Sequence, residues 1–271
     1  MLMAVNIGNS RICVGIFEKT SDALLTKFQI ATDLFKSSDE YSNLILSMLR
    51  ERCIEKEGLE DGILSSVVPQ LTETLKDAMV SIIKKLPLIV GPGVKTGFPI
   101  RIDNPSELGG DIVADVAAAL HVLKETGREN TPAVVAHVGT VTTVSAINAK
   151  GEFVGCSIFP GVRLSFDTLH GKTALLPNVS LAEPMSVIAK NSQDAVRSGV
   201  IGGQAILLDG FAERFAKEMR CSPERLIGFV TGRDAKYVKD ICRREFVYDE
   251  HLTMIGLYRL FCNATQKSGN G

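Results

Sequence analysis

The stretch AVVAHVGTVTTVSAIN, residues 133–148, has the pattern of a tight β-hairpin with polar groups at its bend. An apolar run over residues 133–136 leads to His137 and Gly139, and an alternating run follows the bend. Three hydroxyl side chains stand at or just beyond the bend: Thr140, Thr142 and Thr143. Because the N–H groups of a glycine turn, helped by hydroxyls, can hold a phosphate without lysine, the stretch predicts a phosphate-binding hairpin. An ordinary sheet hairpin has the same pattern, so both interpretations stay open.

The beginning of the chain repeats this pattern. VNIGNSRICVGI (5–16) and AHVGTVTTVSAI (136–147) share the order apolar, polar, apolar, glycine, asparagine or threonine, and then an alternating strand. The first bend is Gly8-Asn9-Ser10, where glycine and asparagine are expected to supply unusual backbone angles. Such a repeat indicates duplicated halves that each begin with the same hairpin. Two of these hairpins facing each other across a cleft would hold a triphosphate from both sides.

Helical and strand-like segments alternate in both halves. In the first half, apolar residues recur at helical spacing in 38–57 and 71–83, and strand-like runs occupy 62–69 and 87–93. In the second half, strands are predicted first, then a long helix, then one more strand: 133–138, 142–148, 152–158, 191–219 and 226–232. This order predicts an α/β protein whose sheets are covered by helices.

The polar stretch KETGRENTP, residues 124–132, has the composition of a linker. It predicts two domains, 1–125 and 126–271. The last residues, QKSGNG (266–271), are expected to be disordered.

Charge and composition narrow the class of ligand. The formal net charge is −1, from 30 basic and 31 acidic residues, so neither a nucleic acid nor an acidic membrane surface is expected as a partner. A small-molecule ligand is the better expectation. The six cysteines form no CxxC pair and no Cys/His cluster, and the N-terminus has no signal-peptide pattern. We therefore expect a cytoplasmic protein with reduced thiols and no membrane span.

The segment DNPSELGGD (103–111) is a candidate for the chemistry. It has the signature of a helix start, with Asn104 as the cap. Asp111 follows Gly109-Gly110, and this small-residue bend would leave its carboxylate reachable from a cleft. A carboxylate placed against a substrate hydroxyl can serve as a general base. The alternative is an exposed acid near the favourable end of a helix dipole.

Taken in order, these segments resemble the type III pantothenate kinases from residue 3 to about residue 260. The shared stretches are MAVNIGNS (3–10), SSVVP (65–69), GPGVKTGFPI (91–100), DNPSELGGD (103–111), HVGTVTTV (137–144), FPG (159–161), KTALLP (172–177), SGVIGG (198–203) and VTG (230–232). The resemblance implies the fold of the acetate and sugar kinase, Hsc70 and actin superfamily, with ATP between two duplicated α/β domains. It also implies transfer of the γ-phosphate of ATP to the terminal hydroxyl of pantothenate, by a homodimer that uses Mg²⁺ and a monovalent cation such as K⁺.

The resemblance carries site roles onto matching residues. Asp111 takes the place of the general base. The nucleotide is expected at Asn6, Gly8, Asn9, Ser10, Gly139, Thr140, Thr142, Thr143 and Gly232. Pantothenate is expected at Gly109, Gly110, Ile112 and Ser192, where Ser192 keeps the hydroxyl of the usual threonine.

Several positions depart from the family pattern. Asn6 and His137 each replace an aspartate, the first serving metal and phosphates and the second tied to the monovalent cation. Ile112 replaces an arginine that helps to hold pantothenate, and Arg233 replaces the second glycine after VT. His137 is the only candidate here for the cation position, either as a positive charge standing in for K⁺ or as a tolerated histidine.

Three hypotheses follow. The protein phosphorylates pantothenate with Asp111 as base, or it is a catalytically impaired paralogue that binds nucleotide or a pantothenate-like ligand in a regulatory or interaction role. The third hypothesis is a kinase with a different acceptor. Phosphoryl transfer needs the charge on the phosphates to be neutralised by cations. The absence of two aspartates that would serve those cations is the reason to consider the second and third hypotheses.

Overall fold

The computed structural model describes residues 1–184 and 186–265. The described residues form two compact units. Residues 1–97, 104–118 and 252–265 belong to the first, and residues 98–103, 119–184 and 186–251 belong to the second. The predicted domain division near residue 125 stays a prediction. The predicted disorder of 266–271 lies outside the described residues.

The first unit contains a five-stranded sheet in the order β3-β2-β1-β4-β5. Its strands are β1 (Leu2–Ile7), β2 (Arg11–Phe17), β3 (Leu24–Ala31), β4 (Asp61–Ser66) and β5 (Leu88–Ile89). The hairpin β1–β2 and the pair β2–β3 are antiparallel, whereas β1, β4 and β5 run parallel. The carboxyl ends of β1 and β4 therefore lie side by side, at the edge where a parallel sheet presents loops and helix starts to a ligand.

Four helices belong wholly or partly to this unit: α1 (Ser38–Arg50), α2 (Pro69–Ile83), the first residues of α3 (Gly110–Glu125) and α7 (Leu252–Thr265). A capping box between Ser37 and Glu40 begins α1. The apolar stripes of α1 and α2 pack with alternate residues of β1 and β2 into one buried core. Helix α7, from the end of the chain, packs on β1 and β4 and crosses α3.

The second unit repeats the sheet of the first. Its strands are β6 (Ala133–Val138), β7 (Val141–Ile147), β8 (Phe153–Pro160), β9 (Ile227–Thr231) and β10 (Phe246–Tyr248). Their order, β10-β9-β6-β7-β8, is the first sheet's order read from the other edge. The pairs β6–β7 and β7–β8 are antiparallel, and β6, β9 and β10 run parallel, as in the first sheet. The predicted duplication of the hairpin therefore extends to a whole five-stranded sheet.

Among the described residues, three α-helices belong to the second unit alone: α4 (Val162–Lys172), α5 (Ser192–Arg197) and α6 (Gly203–Glu218). A turn of π-helix, Ser198–Gly202, joins α5 to α6, so the predicted helix over 191–219 forms with one wide turn inside it. Buried residues of α6 pack with β6 and β9 in a second core.

Some local predictions differ from the structure. Asn104 caps a short 3₁₀ helix, Pro105–Glu107, and α3 begins only at Gly110. A capping residue followed by proline can begin a 3₁₀ helix or an α-helix, and for this reason the predicted start of α3 was too early. Strands β3 and β10 and helix α4 were not predicted. Both strands lie at sheet edges, where exposed residues weaken the apolar pattern.

Candidate functional site

The first hairpin presents its bend to solvent. Gly8 N donates to Arg11 O at 2.9 Å, and Asn9 and Ser10 are exposed. Thr32 supports the bend, because its Oγ1 donates to Gly8 O at 2.7 Å and its N donates to Ser10 O at 3.2 Å. The expected unusual backbone angles are wrong for this bend, since none of its residues has a positive φ. A Cβ at Gly8 would instead lie 3.0 Å from Arg11 O, so the glycine serves a close approach.

Two buried side-chain oxygen atoms near the carboxyl ends of β1 and β4 have no hydrogen-bond partner among the described residues. Asn6 on β1 and Ser65 on β4 are register partners in a parallel pair, and such partners point to the same face. Asn6 is 9% exposed and Ser65 0% exposed. Within the described residues, neither Asn6 Oδ1 nor Ser65 Oγ has a hydrogen-bond partner. Since an unsatisfied buried polar group costs about 1–3 kcal/mol, this pair marks a place that a ligand, ion or water completes.

The start of α3 lies directly over this pair. A Cβ at Gly110 would come 2.6 Å from Ser65 Oγ, so only glycine lets the helix start reach the sheet here. Asp111 is half-buried, and its Oδ1 accepts from Ile112 N at 2.9 Å. A Cβ at Gly109 would come 2.6 Å from Asp111 Oδ1. Gly109 therefore leaves room for the Asp111 carboxylate, and Gly110 leaves room for Ser65 Oγ.

The first unit brings Gly110 to Ser65, the register partner of Asn6, while the site roles of Asn6, Gly109, Gly110 and Asp111 stay predictions. Ser65 was missed as a site residue, although the shared stretch SSVVP contains it. Only the register of β4 against β1 shows that it lies opposite Asn6. Ile112 is buried at 7% exposure, and its role towards pantothenate stays a prediction.

The second hairpin holds His137 against its own bend. Gly139 N donates to Val141 O at 3.1 Å, and Thr140 is exposed at the tip. His137 is half-buried on β6, and a Cβ at Gly139 would lie 3.1 Å from its Nε2. Its register partners are Thr143 on β7 and Thr231 on β9. The imidazole therefore packs under the turn.

Thr142 is part of a buried hydrogen-bond chain. Its Oγ1 donates to Gln204 Oε1 at 2.7 Å, and Gln204 Nε2 donates to Pro160 O at 2.7 Å. Both side chains are buried, so this chain ties α6 to the end of β8. Because the hydroxyl proton of Thr142 is engaged inside the unit, its role in phosphate binding stays a prediction.

Two glycines let neighbouring segments cross the second hairpin. Gly161 N donates to Thr140 O at 3.1 Å, and a Cβ at Gly161 would lie 2.2 Å from Gly139 O. Gly232 has φ +99°, and a Cβ there would lie 2.5 Å from Val138 O. Gly232 was expected at the nucleotide, whereas Gly161, in the shared stretch FPG, was not named as a site residue. Backbone contact on both sides fixes the shape of the bend.

Ser192 begins α5 and is exposed. The preceding Asn191 caps the helix, since its Oδ1 accepts from Asp194 N at 2.9 Å. The predicted contact of Ser192 with pantothenate stays a prediction.

Two features are absent from residues 1–184 and 186–265, a cluster of metal-binding side chains and a membrane-spanning helix. No group of three or more His, Cys, Asp or Glu side chains in these residues is arranged to hold a metal ion. No helix in the same part of the chain is long and apolar enough to cross a membrane.

Two sequence relatives of this chain are named type III pantothenate kinase. A sequence profile of the type III pantothenate kinase family matches residues 2–214. A type III pantothenate kinase of Syntrophotalea carbinolica is 34% identical over 261 residues, covering 96% of this chain and 98% of that protein. Another, of Citrifermentans bemidjiense, is 35% identical over 257 residues, covering 95% and 97%.

A solved structure shows the same fold at low identity. A candidate 2-dehydro-3-deoxygalactonokinase from Sinorhizobium meliloti matches with a TM-score of 0.59 and 13% identity, covering 100% of this chain and 99% of that one. This likeness shows the fold alone. Together with the two sheets of equal strand order, it confirms the predicted class of duplicated actin-like ATPase and sugar kinase domains.

The sequence matches and the site geometry converge on one family. The profile covers most of the chain, and the named relatives are more than 30% identical over nearly its whole length. The glycine-flanked Asp111 and the two duplicated hairpins lie in the stretches that first carried the resemblance. The chain belongs to the type III pantothenate kinase family.

Proposed function

We propose that the protein phosphorylates pantothenate with ATP. The observation that carries the proposal is Asp111, which follows Gly110 where the start of α3 passes close to the buried, unpartnered Ser65 Oγ, in a chain whose relatives are named for this activity. An impaired paralogue has no observation in its favour.

In the proposed reaction, the pantothenate hydroxyl oxygen attacks the γ-phosphorus while the bond from that phosphorus to the bridging oxygen of ADP breaks. The proton of the hydroxyl passes to a carboxylate oxygen of Asp111, which acts as general base. Each unit has one such hairpin, and the N–H groups and hydroxyls of its exposed bend bind phosphate oxygens. Phosphoryl transfer depends mostly on such positioning and on charge stabilisation.

The buried oxygens of the first unit suit a hard divalent cation, and we propose Mg²⁺. Asn6 Oδ1 and Ser65 Oγ have no partner among the described residues, and the phosphates of ATP would supply the negative charge that these neutral oxygens lack. Mg²⁺ prefers oxygen ligands and is commonly held by one or two carboxylates together with substrate phosphates. When bound, the ion would neutralise charge on the phosphates. Asn6 can contribute only a neutral oxygen.

We predict that Asn6→Asp lowers the Mg²⁺ concentration needed for half-maximal ATP binding by roughly tenfold, because a charged oxygen binds more strongly than a neutral one. Isothermal titration calorimetry of ATP at a series of Mg²⁺ concentrations measures this midpoint. Asn43→Asp, on an exposed position of α1, adds the same charge elsewhere and serves as the control. Equal midpoints in the two variants would exclude Asn6 from the metal site.

We assign no monovalent cation to position 137. A neutral imidazole is a poor ligand for K⁺, and a protonated one would repel it. We predict that replacing K⁺ by choline leaves turnover unchanged within about twofold, whereas His137→Asp makes turnover depend on K⁺. A steady-state assay in matched salts measures both. Loss of activity of the natural protein in choline would show that a cation binds in spite of His137.

The proposed function is tested by measuring ADP formation by the purified protein with Mg²⁺ and ATP, with and without pantothenate. We expect ADP only when pantothenate is present, and 4′-phosphopantothenate in equal amount by mass spectrometry. ADP formation that ignores pantothenate, or that needs a different alcohol, contradicts the proposal.

We further propose a cytoplasmic homodimer. All six cysteines are free thiols, which agrees with a reducing compartment. Several large apolar side chains of the second unit are exposed, as at subunit contacts: Ile158, Leu175, Val187, Ile188, Ile206 and Leu207.

A further inference from the structure

One buried carboxylate in the second unit holds an arginine beside the second hairpin. Asp234 is 1% exposed, and its Oδ1 accepts from Arg163 Nε at 3.1 Å. Arg233 Nε lies 3.9 Å from the same oxygen. Both arginine side chains keep about a third of their surface exposed. A buried aspartate is thus paired with guanidinium groups that still reach solvent.

Three backbone segments bring this cluster to the hairpin. Asp234 N donates to Val138 O at 3.0 Å, immediately before the bend. Arg163 lies two residues after Gly161, whose N–H bonds to Thr140 O. Arg233 follows Gly232, whose α-carbon packs against Val138. The arginines are therefore attached to the two segments that cross the bend, at the carboxyl ends of the parallel strands β6 and β9.

The contact with Asp234 leaves Arg163 able to bind a second anion. A guanidinium has five N–H donors, and the described ion pair uses Nε. The two Nη groups remain in a planar fork that suits phosphate oxygens. Holding Nε on a buried acid fixes the plane of the fork, so less side-chain entropy is lost when an anion binds.

We infer that Arg163, oriented by Asp234, donates from its Nη groups to phosphate oxygens of the nucleotide at the second hairpin, where Arg233 adds a second positive charge. This inference rests on the proposed use of ATP. It gives the second unit a cationic group of its own beside the glycine and threonine donors of the hairpin. Arg163 is the binding residue, and Asp234 is a positioning residue that acts through it.

The first test is ATP binding by Arg163→Gln, measured by calorimetry without pantothenate. Loss of a charge-assisted contact to phosphate is expected to weaken binding about 10- to 100-fold and to reduce its dependence on NaCl concentration. Arg214→Gln, an exposed arginine of α6 in the same unit, removes the same charge away from the hairpin and is expected to bind ATP normally. Equal affinities of the two variants would overturn the inference.

The second test separates positioning from simple charge. Asp234→Asn adds one unit of positive net charge, which by itself would tighten ATP binding. If Asp234 orients Arg163, the neutral amide holds the guanidinium less firmly, and binding weakens. Thermal denaturation confirms that each variant is folded. Tighter ATP binding by folded Asp234→Asn would overturn the positioning role.

The binding experiments also distinguish a failure of this inference from a failure of the proposed function. If the natural protein binds ATP through Arg163 but forms no ADP with pantothenate, the acceptor proposal fails and this inference stands. If pantothenate is phosphorylated and Arg163→Gln binds ATP normally, only this inference fails.

Discussion

Replacing Asp111 by asparagine is expected to lower kcat for pantothenate-dependent ADP formation by about 100- to 10,000-fold, the usual contribution of a general base. Asparagine has nearly the same shape, and its Oδ1 can still accept the hydrogen bond from Ile112 N. The start of α3 therefore keeps its structure, while the amide cannot take up the substrate proton. We expect KM for pantothenate to change much less than kcat.

The measurement is a steady-state assay with the melting temperature recorded for each protein. Asp77→Asn, on an exposed position of α2, makes the same chemical change away from the site and should retain full activity. A kcat of Asp111→Asn within threefold of the natural value would remove Asp111 from the role of base.

The second large effect is expected on stability, from Gly256→Ala in α7. A Cβ at this position would lie 1.8 Å from the carbonyl oxygen of Ala114 on α3, and backbone atoms cannot move aside as a flexible side chain can. The two helices must separate, and part of the surface that α7 buries against β1 and β4 then becomes exposed to solvent. Overpacking of this kind typically costs 1–3 kcal/mol, and we expect a loss of about 3 kcal/mol in the free energy of unfolding.

Chemical denaturation followed by circular dichroism measures this loss. The matched control is Gly210→Ala inside α6, where an added Cβ meets no atom within 4 Å. There the substitution removes only the conformational freedom of glycine, so a gain of about 0.5–1 kcal/mol is expected. If both variants have the stability of the natural protein, Gly256 does not lie close to the backbone of α3.

Contacts made by α7 could not be predicted from its sequence. Thr253 Oγ1 donates to Asp115 Oδ1 at 2.6 Å, in a buried contact that joins residues 138 positions apart. Tyr258 stacks on Phe17 with ring centroids 4.8 Å apart and donates to Asp22. Nothing in the local sequence of α7 assigns this helix to the first unit. The helix belongs to the first unit because it packs on β1 and β4, which are far from it in the chain.

Some residues of the candidate site could be predicted from the sequence, and others could not. Gly8, Gly139 and Asp111 stand out in short stretches, because glycine turns and a glycine-flanked acid are local signals. Ser65 and Gly161 do not, since their importance comes from segments that meet only in the fold. Arg163 gives no signal of its own until its partner Asp234, 71 residues away, is known.

The sequence by itself determined the α/β class, the family, the two hairpins and their duplication. Each of these depends on periodicity and motif order, which are properties of short segments and of their order along the chain. The tertiary structure alone decided the register that buries Asn6 opposite Ser65, the close passage of Gly161 and Gly256 against other backbones, and the pairing of Arg163 with Asp234. The physical reason is that close packing and the pairing of buried polar groups join residues far apart in the chain, so no single segment carries the information.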